Sequence, residues 1–148
     1  ENGSGFFQHG HTYLGHPVAC AAALAVVKKL TDGGMTDRAE QIGTYFGAAL
    51  RETFAQHPYV GDIRGRGMFR GIEFVADRET KVPFDPDKKL ASRLKAQSME
   101  NGLICYPMSG TIDGRNGDHV LLAPPFICTE GQIDELVDKL SKSIEGVM

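Results

Sequence analysis

Apolar positions fall at helical spacing most clearly near the end of the chain. Ile133, Leu136, Val137, Leu140, Ile144 and Val147 recur on one face, with Asp134, Asp138, Lys139 and Lys142 on the other. That spacing predicts an amphipathic helix. Thr129 and Gln132, just ahead, have the spacing of a capping box, in which each side chain satisfies a backbone N–H at the helix start. A second helix is predicted from about Asp37, where Asp37 and Glu40 repeat the capping-box spacing. Ala39, Ile42, Phe46, Ala49, Leu50 and Phe54 carry its apolar face. It stops by His57-Pro58, because the residue before a proline avoids helical dihedrals. A third helix is predicted from Asp85-Pro86, carried by Leu90 and Leu94 and ended by Gly102.

The first helix has a different pattern. Pro17 opens it, in the turn where a missing N–H costs nothing, and it runs to about Leu30. Lys28 and Lys29 stand in its last turn, where the helix dipole favours cations, and Gly33-Gly34 ends it. Its apolar residues, mostly alanine, lie on every side, which predicts a buried helix. Strand-like stretches make up the rest. Val60 to Val75 is interrupted by Gly65, Gly67 and Gly71, which predicts a hairpin or bulge with close backbone approach. Leu103 to Tyr106 and His119 to Leu122 are predicted as short strands on either side of a glycine-rich loop from Ser109 to Asp118. Ala123-Pro124-Pro125 closes the second, and residues 79–87, with Pro83 and Pro86, form another loop. Strands and helices do not alternate regularly. The expected fold is therefore α+β, a small mixed or antiparallel sheet with helices on one side, rather than a doubly wound parallel sheet.

Composition narrows the classes. With 148 residues, 41% hydrophobic and 24% charged, the chain is globular and long enough to bury a core. Lys and Arg number 16 against 19 Asp and Glu, for a net charge of −3, and no basic stripe forms. No nucleic-acid partner is expected. The longest apolar run, Val18 to Val27, is too short to cross a bilayer, and no basic segment or cleavage site marks it as a signal peptide. Three scattered cysteines, Cys20, Cys105 and Cys128, argue against a disulfide framework and for a reducing cytoplasm. The chain opens at Glu1 rather than methionine, so a natural N-terminus is expected upstream.

Several residues invite a chemical reading. Gly65, Gly67 and Gly71 miss the dinucleotide fingerprint, since the spacing is wrong and no helix pattern follows. His9, His11, His16 and Cys20 offer imidazole and thiolate ligands, so a metal-binding domain is one alternative. Against it, His16 stands where an N-cap belongs, and Cys20 lies in an apolar run, where cysteine usually acts as a small hydrophobe. The lysines at 28, 29, 81, 88, 89, 95, 139 and 142 sit at helix ends, in loops or on polar faces. None has the apolar setting that lowers a lysine pKa for nucleophilic work. Thr12 lies among glycines just before a helix, where a hydroxyl, backbone N–H groups and the helix dipole can together hold an anion.

The stretch from Phe7 to Ala25, FQHGHTYLGHPVACAAALA, resembles the segment that follows the cofactor lysine in class III aminotransferases. The resemblance continues in VGDIRGRGMFRGIE from Val60, in Gly102-Leu103-Ile104, and in GDHVLLAPP from Gly117. It implies a fold-type I enzyme that uses pyridoxal 5'-phosphate and works as a homodimer. An amino donor and a 2-oxo acid would be its substrates. It also implies that Thr12, with His11 and Gly10, contacts the cofactor phosphate held by the neighbouring subunit. Residues 1–34 would end the large cofactor-binding domain and include the linking helix, and residues 35–148 would form the small C-terminal domain. The family's Schiff-base lysine, and the aspartate that pairs with the pyridine nitrogen, would lie upstream of this chain. No catalytic residue is therefore expected within it, and the chain alone should be inactive. Some members grip a substrate carboxylate with arginine near the positions of Leu121 or Glu130. This chain has none there, which leaves the amino donor open, and Arg64, Arg66, Arg70 and Arg115 read as surface charges. A noncatalytic α+β module, or one half of a split enzyme, is the remaining alternative.

Overall fold

The computed structural model describes residues 3, 5, 6 and 9–148. It contains two compact units, Glu1–Met35 and Thr36–Met148. The first unit is built on α1, Pro17–Thr31. His16 is its N-cap, and His16 Nδ1 accepts the Ala19 N–H at 3.4 Å. The Asp32 N–H closes the far end on the Lys28 carbonyl at 2.9 Å. Gly34 follows with φ +64°, a conformation glycine adopts without steric cost. The sequence predicts a buried helix, but no residue of α1 is buried. Val18 is 72% exposed, Val26 59%, Leu24 56% and Val27 51%. The all-round apolar pattern records what the helix is shaped to pack against, not what covers it within these residues.

The second unit holds α2 (Met35–Phe54), β1 (Val60–Arg66), β2 (Phe69–Phe74), α3 (Leu90–Glu100), β3 (Tyr106–Ser109), β4 (Asp118–Leu122) and α4 (Glu130–Glu145). The sheet runs β1-β2-β4-β3. Every pairing is antiparallel, so the expected mixed or antiparallel sheet is antiparallel. Alternation along the strands fixes its faces. Ile72, Phe74, Val120 and Leu122 are buried against Phe46, Leu50 and Phe54 of α2, Leu94 of α3, and Ile133, Leu140 and Ile144 of α4. The intervening Phe69, Gly71, Glu73, His119 and Leu121 lie on the face the helices leave uncovered.

Three local expectations change. First, α2 begins at Met35, so Asp37 stands in its first turn instead of capping it. An acid there still favours the dipole. Second, Asp85-Pro86 opens only a single 3-10 turn, Pro86–Lys88, with Asp85 Oδ1 accepting the Asp87 N–H at 2.9 Å. Lys89 then takes left-handed dihedrals, and α3 starts at Leu90. Third, the strand predicted at Leu103 to Tyr106 is displaced to Tyr106–Ser109. The N–H groups of Asn101, Gly102 and Leu103 turn back onto carbonyls of Gln97, Met99 and Ser98. That closes the helix C-terminus and leaves Leu103 buried in the core, so pairing begins only at Tyr106. The hairpin forms as expected. β1 is bulged between Val60 and Asp62, and the turn uses Gly65 at φ +136° and Gly67 at φ +52°.

Candidate functional site

Gly10, His11 and Thr12 share one exposed loop. The Leu14 N–H donates to the His11 carbonyl at 2.9 Å, and the His16 N–H to the Tyr13 carbonyl at 3.1 Å. Thr12 therefore sits inside a tight turn, and its hydroxyl has no partner among the described residues. The His11 ring packs edge-on against His9 at 5.0 Å. A β-carbon at Gly10 would meet nothing within 4 Å, so a ligand can approach the backbone there. The end of α1 contributes less than the sequence suggests. His16 itself caps that helix, and Thr12 precedes its first residue, Pro17, by a full turn of chain. An anion here would meet a hydroxyl and turn backbone. No lysine or arginine stands between His9 and His16 to supply charge. The loop therefore fits as one wall of a phosphate site completed by other groups.

The metal alternative lacks a ligand set. Among the described residues no three His, Cys, Asp or Glu side chains converge where an ion could sit. His16 is engaged at the N-cap, and Cys20 is exposed on α1. The lysines at 28, 29, 81, 88, 89, 95 and 142 are exposed. Lys139 is half-buried and paired with Glu135 at 2.6 Å.

The arginines divide. Arg66 and Arg115 are exposed. Arg64 Nη1 meets Asp62 Oδ2 at 2.8 Å and Glu73 Oε2 at 2.6 Å on the uncovered sheet face. Arg70, expected as a surface charge, instead reaches inward. Its guanidinium donates to the Gly65 carbonyl at 2.8 Å and the Gly43 carbonyl at 2.5 Å, tying the hairpin to α2. Burial lowers its pKa, with Arg51 adding to the effect. Gly47 makes room for it, since a β-carbon there would stand 2.9 Å from the guanidinium.

The uncovered face also carries a groove of about 330 Å³ between Arg64, Phe69, Thr111, His119 and Leu121, floored by Gly71. Burial lowers the His119 pKa, and the neighbouring Arg64 lowers it further. The groove's loop wall is held by Asp113, whose carboxylate accepts the N–H groups of Arg115 at 2.9 Å and Asn116 at 2.7 Å. With the Asn116 amide as a third donor, the Asp113 pKa is drawn down to about 2. Sequence reasoning did not find this groove. Its signal was the strand residues out of phase with the core, Phe69, Gly71 and Leu121. Of the two positions where an arginine is wanting, Leu121 borders the groove, while Glu130 is exposed in the first turn of α4. On the helical side, one cleft lies between Tyr45 and Asp134 and another at the start of α4. The one at the start of α4 contains Arg38, whose guanidinium already binds the carbonyls of Phe126, Ile127 and Cys128.

Comparison with known proteins agrees with this picture. The family described as aminotransferase class-III matches residues 2–144. An uncharacterized aminotransferase of Schizosaccharomyces pombe is 52% identical over 145 residues, covering 98% of this chain and 31% of the relative. Diaminobutyrate–2-oxoglutarate transaminase of Halomonas elongata is 35% identical, covering 99% of this chain and 31% of its own length. A solved structure, a pyridoxal-phosphate-bound aminotransferase mutant from Vibrio fluvialis, superimposes with a TM-score of 0.83. It is 36% identical and covers 95% of this chain and 29% of that one. The chain thus spans about a third of the length of these relatives. With the family match running nearly end to end over the α+β unit and the Thr12 loop, the chain belongs to the class III aminotransferases.

Proposed function

We propose that this chain is the C-terminal part of a pyridoxal-phosphate-dependent transaminase, which moves an amino group between an amine or amino acid and a 2-oxo acid. The observation that carries the reading is the family match over residues 2–144, on a chain that fills only about a third of its relatives' length. Residues 1–34 belong to the end of the cofactor-binding domain, and 35–148 are the small domain. The bound cofactor supplies an electron sink for the chemistry at the amine carbon. The family resemblance implies that the Schiff-base lysine lies upstream of these 148 residues, and none of the lysines here has a buried setting that would suit that role.

Within the chain, the Thr12 hydroxyl and the turn backbone at Gly10 and His11 bind a phosphate oxygen. The family resemblance implies that this phosphate is held by the other subunit of a homodimer, and an exposed loop without a cation of its own is compatible with that. The free cysteines suit a cytoplasmic enzyme, and no helix among the described residues is long and apolar enough to cross a membrane.

In the full-length protein, Thr12→Ala should weaken pyridoxal phosphate binding about tenfold or more, the value of a hydrogen bond to a charged group. Thr12→Ser should restore it. Titration of the apoenzyme followed by absorbance reads both, and an unchanged Kd in the alanine variant removes Thr12 from the site.

A further inference from the structure

Two arginines of the second unit stand at one cleft without a partner. Arg51 comes from the last turn of α2, and Arg78 from the turn that follows β2. Both line a cleft of about 230 Å³, together with Ala55, Gly61, Asp62 and Ile63. Neither guanidinium has a hydrogen bond or ion pair among the described residues. For Arg51 alone, a place at a helix end would be reason enough, since the dipole favours a cation there. Arg78 has no such reason. It is half-buried, with no protein acceptor for its five donors. Its turn is fixed, because the Asp77 carboxylate accepts the Thr80 N–H at 2.7 Å and the Thr80 hydroxyl at 2.6 Å. That carboxylate is committed to the turn and does not pair Arg78.

The walls add charge of the same sign. Gly61 is the extra residue of the β1 bulge, with no register partner on β2. Its carbonyl accepts Lys81 Nζ at 2.6 Å, which brings a third cation to the wall and covers the acceptor there. Asp62, the carboxylate in the lining, is already paired with Arg64 at 2.8 Å. Arg51 also lies near enough to Arg70 to lower its pKa, while Arg70 is turned inward onto the Gly43 and Gly65 carbonyls. Like charges gathered in this way are relieved by an anion.

We propose that this cleft binds a phosphate group, free or on a small ester, through Arg51 and Arg78. Two guanidinium forks from different elements suit a tetrahedral dianion, whose oxygens point in several directions. A planar carboxylate fills one fork and leaves the other empty. A cleft smaller than about 300 Å³ does not admit a nucleotide or another ligand of that size. Ala55 and Ile63 offer apolar contact to the carbon body of a small ester. None of these residues belongs to the Thr12 loop, so the site stands or falls apart from the transaminase reading.

The test is equilibrium dialysis of the full-length protein, loaded with pyridoxal phosphate and freed of excess, against labelled inorganic phosphate. Each wild-type chain should take up a phosphate beyond its cofactor. Arg51→Gln and Arg78→Gln should each weaken that binding about tenfold or more, the value of a hydrogen bond to a charged group. The double variant should take up none. Arg78→Lys keeps the charge but loses the fork, and should also bind more weakly. Neither side chain is buried, so unfolding midpoints without phosphate should stay close to the wild-type value. The Gly61 amide NMR signal gives a readout that needs no variant: phosphate should shift it, and chloride at equal concentration should not. Glycerol phosphate in place of inorganic phosphate tests the source. Tighter binding assigns the ester, and binding no tighter assigns the free ion. The proposal is overturned if the wild type takes up no phosphate, if the double variant takes up as much as the wild type, or if succinate displaces the label as well as glycerol phosphate does.

Discussion

Asp118 shows how one side chain can carry a structural duty that no local sequence rule assigns. It is 4% exposed, at the start of β4, and accepts the Ala91 N–H in the first turn of α3. That helix needs the help, because Lys89 at its N-cap position makes no side-chain capping bond. Burial raises the Asp118 pKa, while the Ala91 N–H and the nearby His119 pull it partly back. The folded-state pKa therefore lies above the unfolded value of 3.8. The ionised carboxylate is disfavoured in the fold, so the contribution of this group is greatest below that value and falls as pH rises through the folded pKa. Asn can still accept the Ala91 N–H and needs no charge. Asp118→Asn should match or exceed wild-type stability at pH 7, with the gap closing as pH approaches 3. Asp118→Ala should lose about 1–3 kcal/mol by leaving the Ala91 N–H unpaired. Urea unfolding across that pH range reads all three proteins, and an Asn variant as weak as the Ala variant would refute the assignment. At this scale the sequence was legible where partners are near in the chain, as in the Thr129–Gln132 capping box. It was silent where a partner comes from afar, as with Asp118 and Ala91 or Arg70 and Gly43.

Elements were legible where periodicity was strong and were misplaced where a tertiary contact decided the boundary. α4 and the β1–β2 hairpin appear where apolar spacing and glycine placed them. β3 does not, because Leu103 reads as strand yet serves to close α3 against the core. The packing of α2 on the hairpin depends on a small-residue seam at Gly43 and Gly47 that apolar counting overlooks. A β-carbon at Gly43 would collide with the Gly67 backbone, which cannot yield as a flexible side chain can. Gly43→Ala gains about 1 kcal/mol of helix propensity, but overpacking against backbone costs typically 1–3 kcal/mol and shifts the element. The expected net result is destabilisation by up to about 2 kcal/mol, with loss of the Arg70 bond to the Gly43 carbonyl. Gly131 in the first turn of α4 is the control, since a β-carbon there meets nothing within 4 Å. Gly131→Ala should be neutral or stabilising. Denaturant midpoints of the two variants should move in opposite directions or differ by the same margin, and equal midpoints would show that the seam is not tight.

At the scale of the whole molecule, the Thr12 loop and the groove over Gly71, one in each unit, were legible to different degrees. The Thr12 loop stood out because its residues are consecutive. The groove over Gly71 did not, because its walls come from three strands and a loop that only folding brings together. The same contrast governs α1. Its all-round apolar face is plain in the sequence, yet burial depends on surface that these residues do not place over it. Val18, Leu24, Val26 and Val27 remain exposed on a single helix, and a patch of that kind on a soluble chain drives association. A net charge of −3 gives little repulsion to oppose it. The 148-residue chain alone should therefore self-associate at micromolar concentration. It should also show no transaminase activity with added pyridoxal phosphate, since none of its lysines has the desolvated setting a Schiff base requires. Light scattering should give a mass well above 16.1 kDa. The double variant Leu24→Lys/Val27→Lys should shift that mass towards the monomer without altering the unfolding of Thr36–Met148, because neither residue is buried. A wild-type chain that runs as a monodisperse monomer would mean that α1 finds its cover within the chain itself.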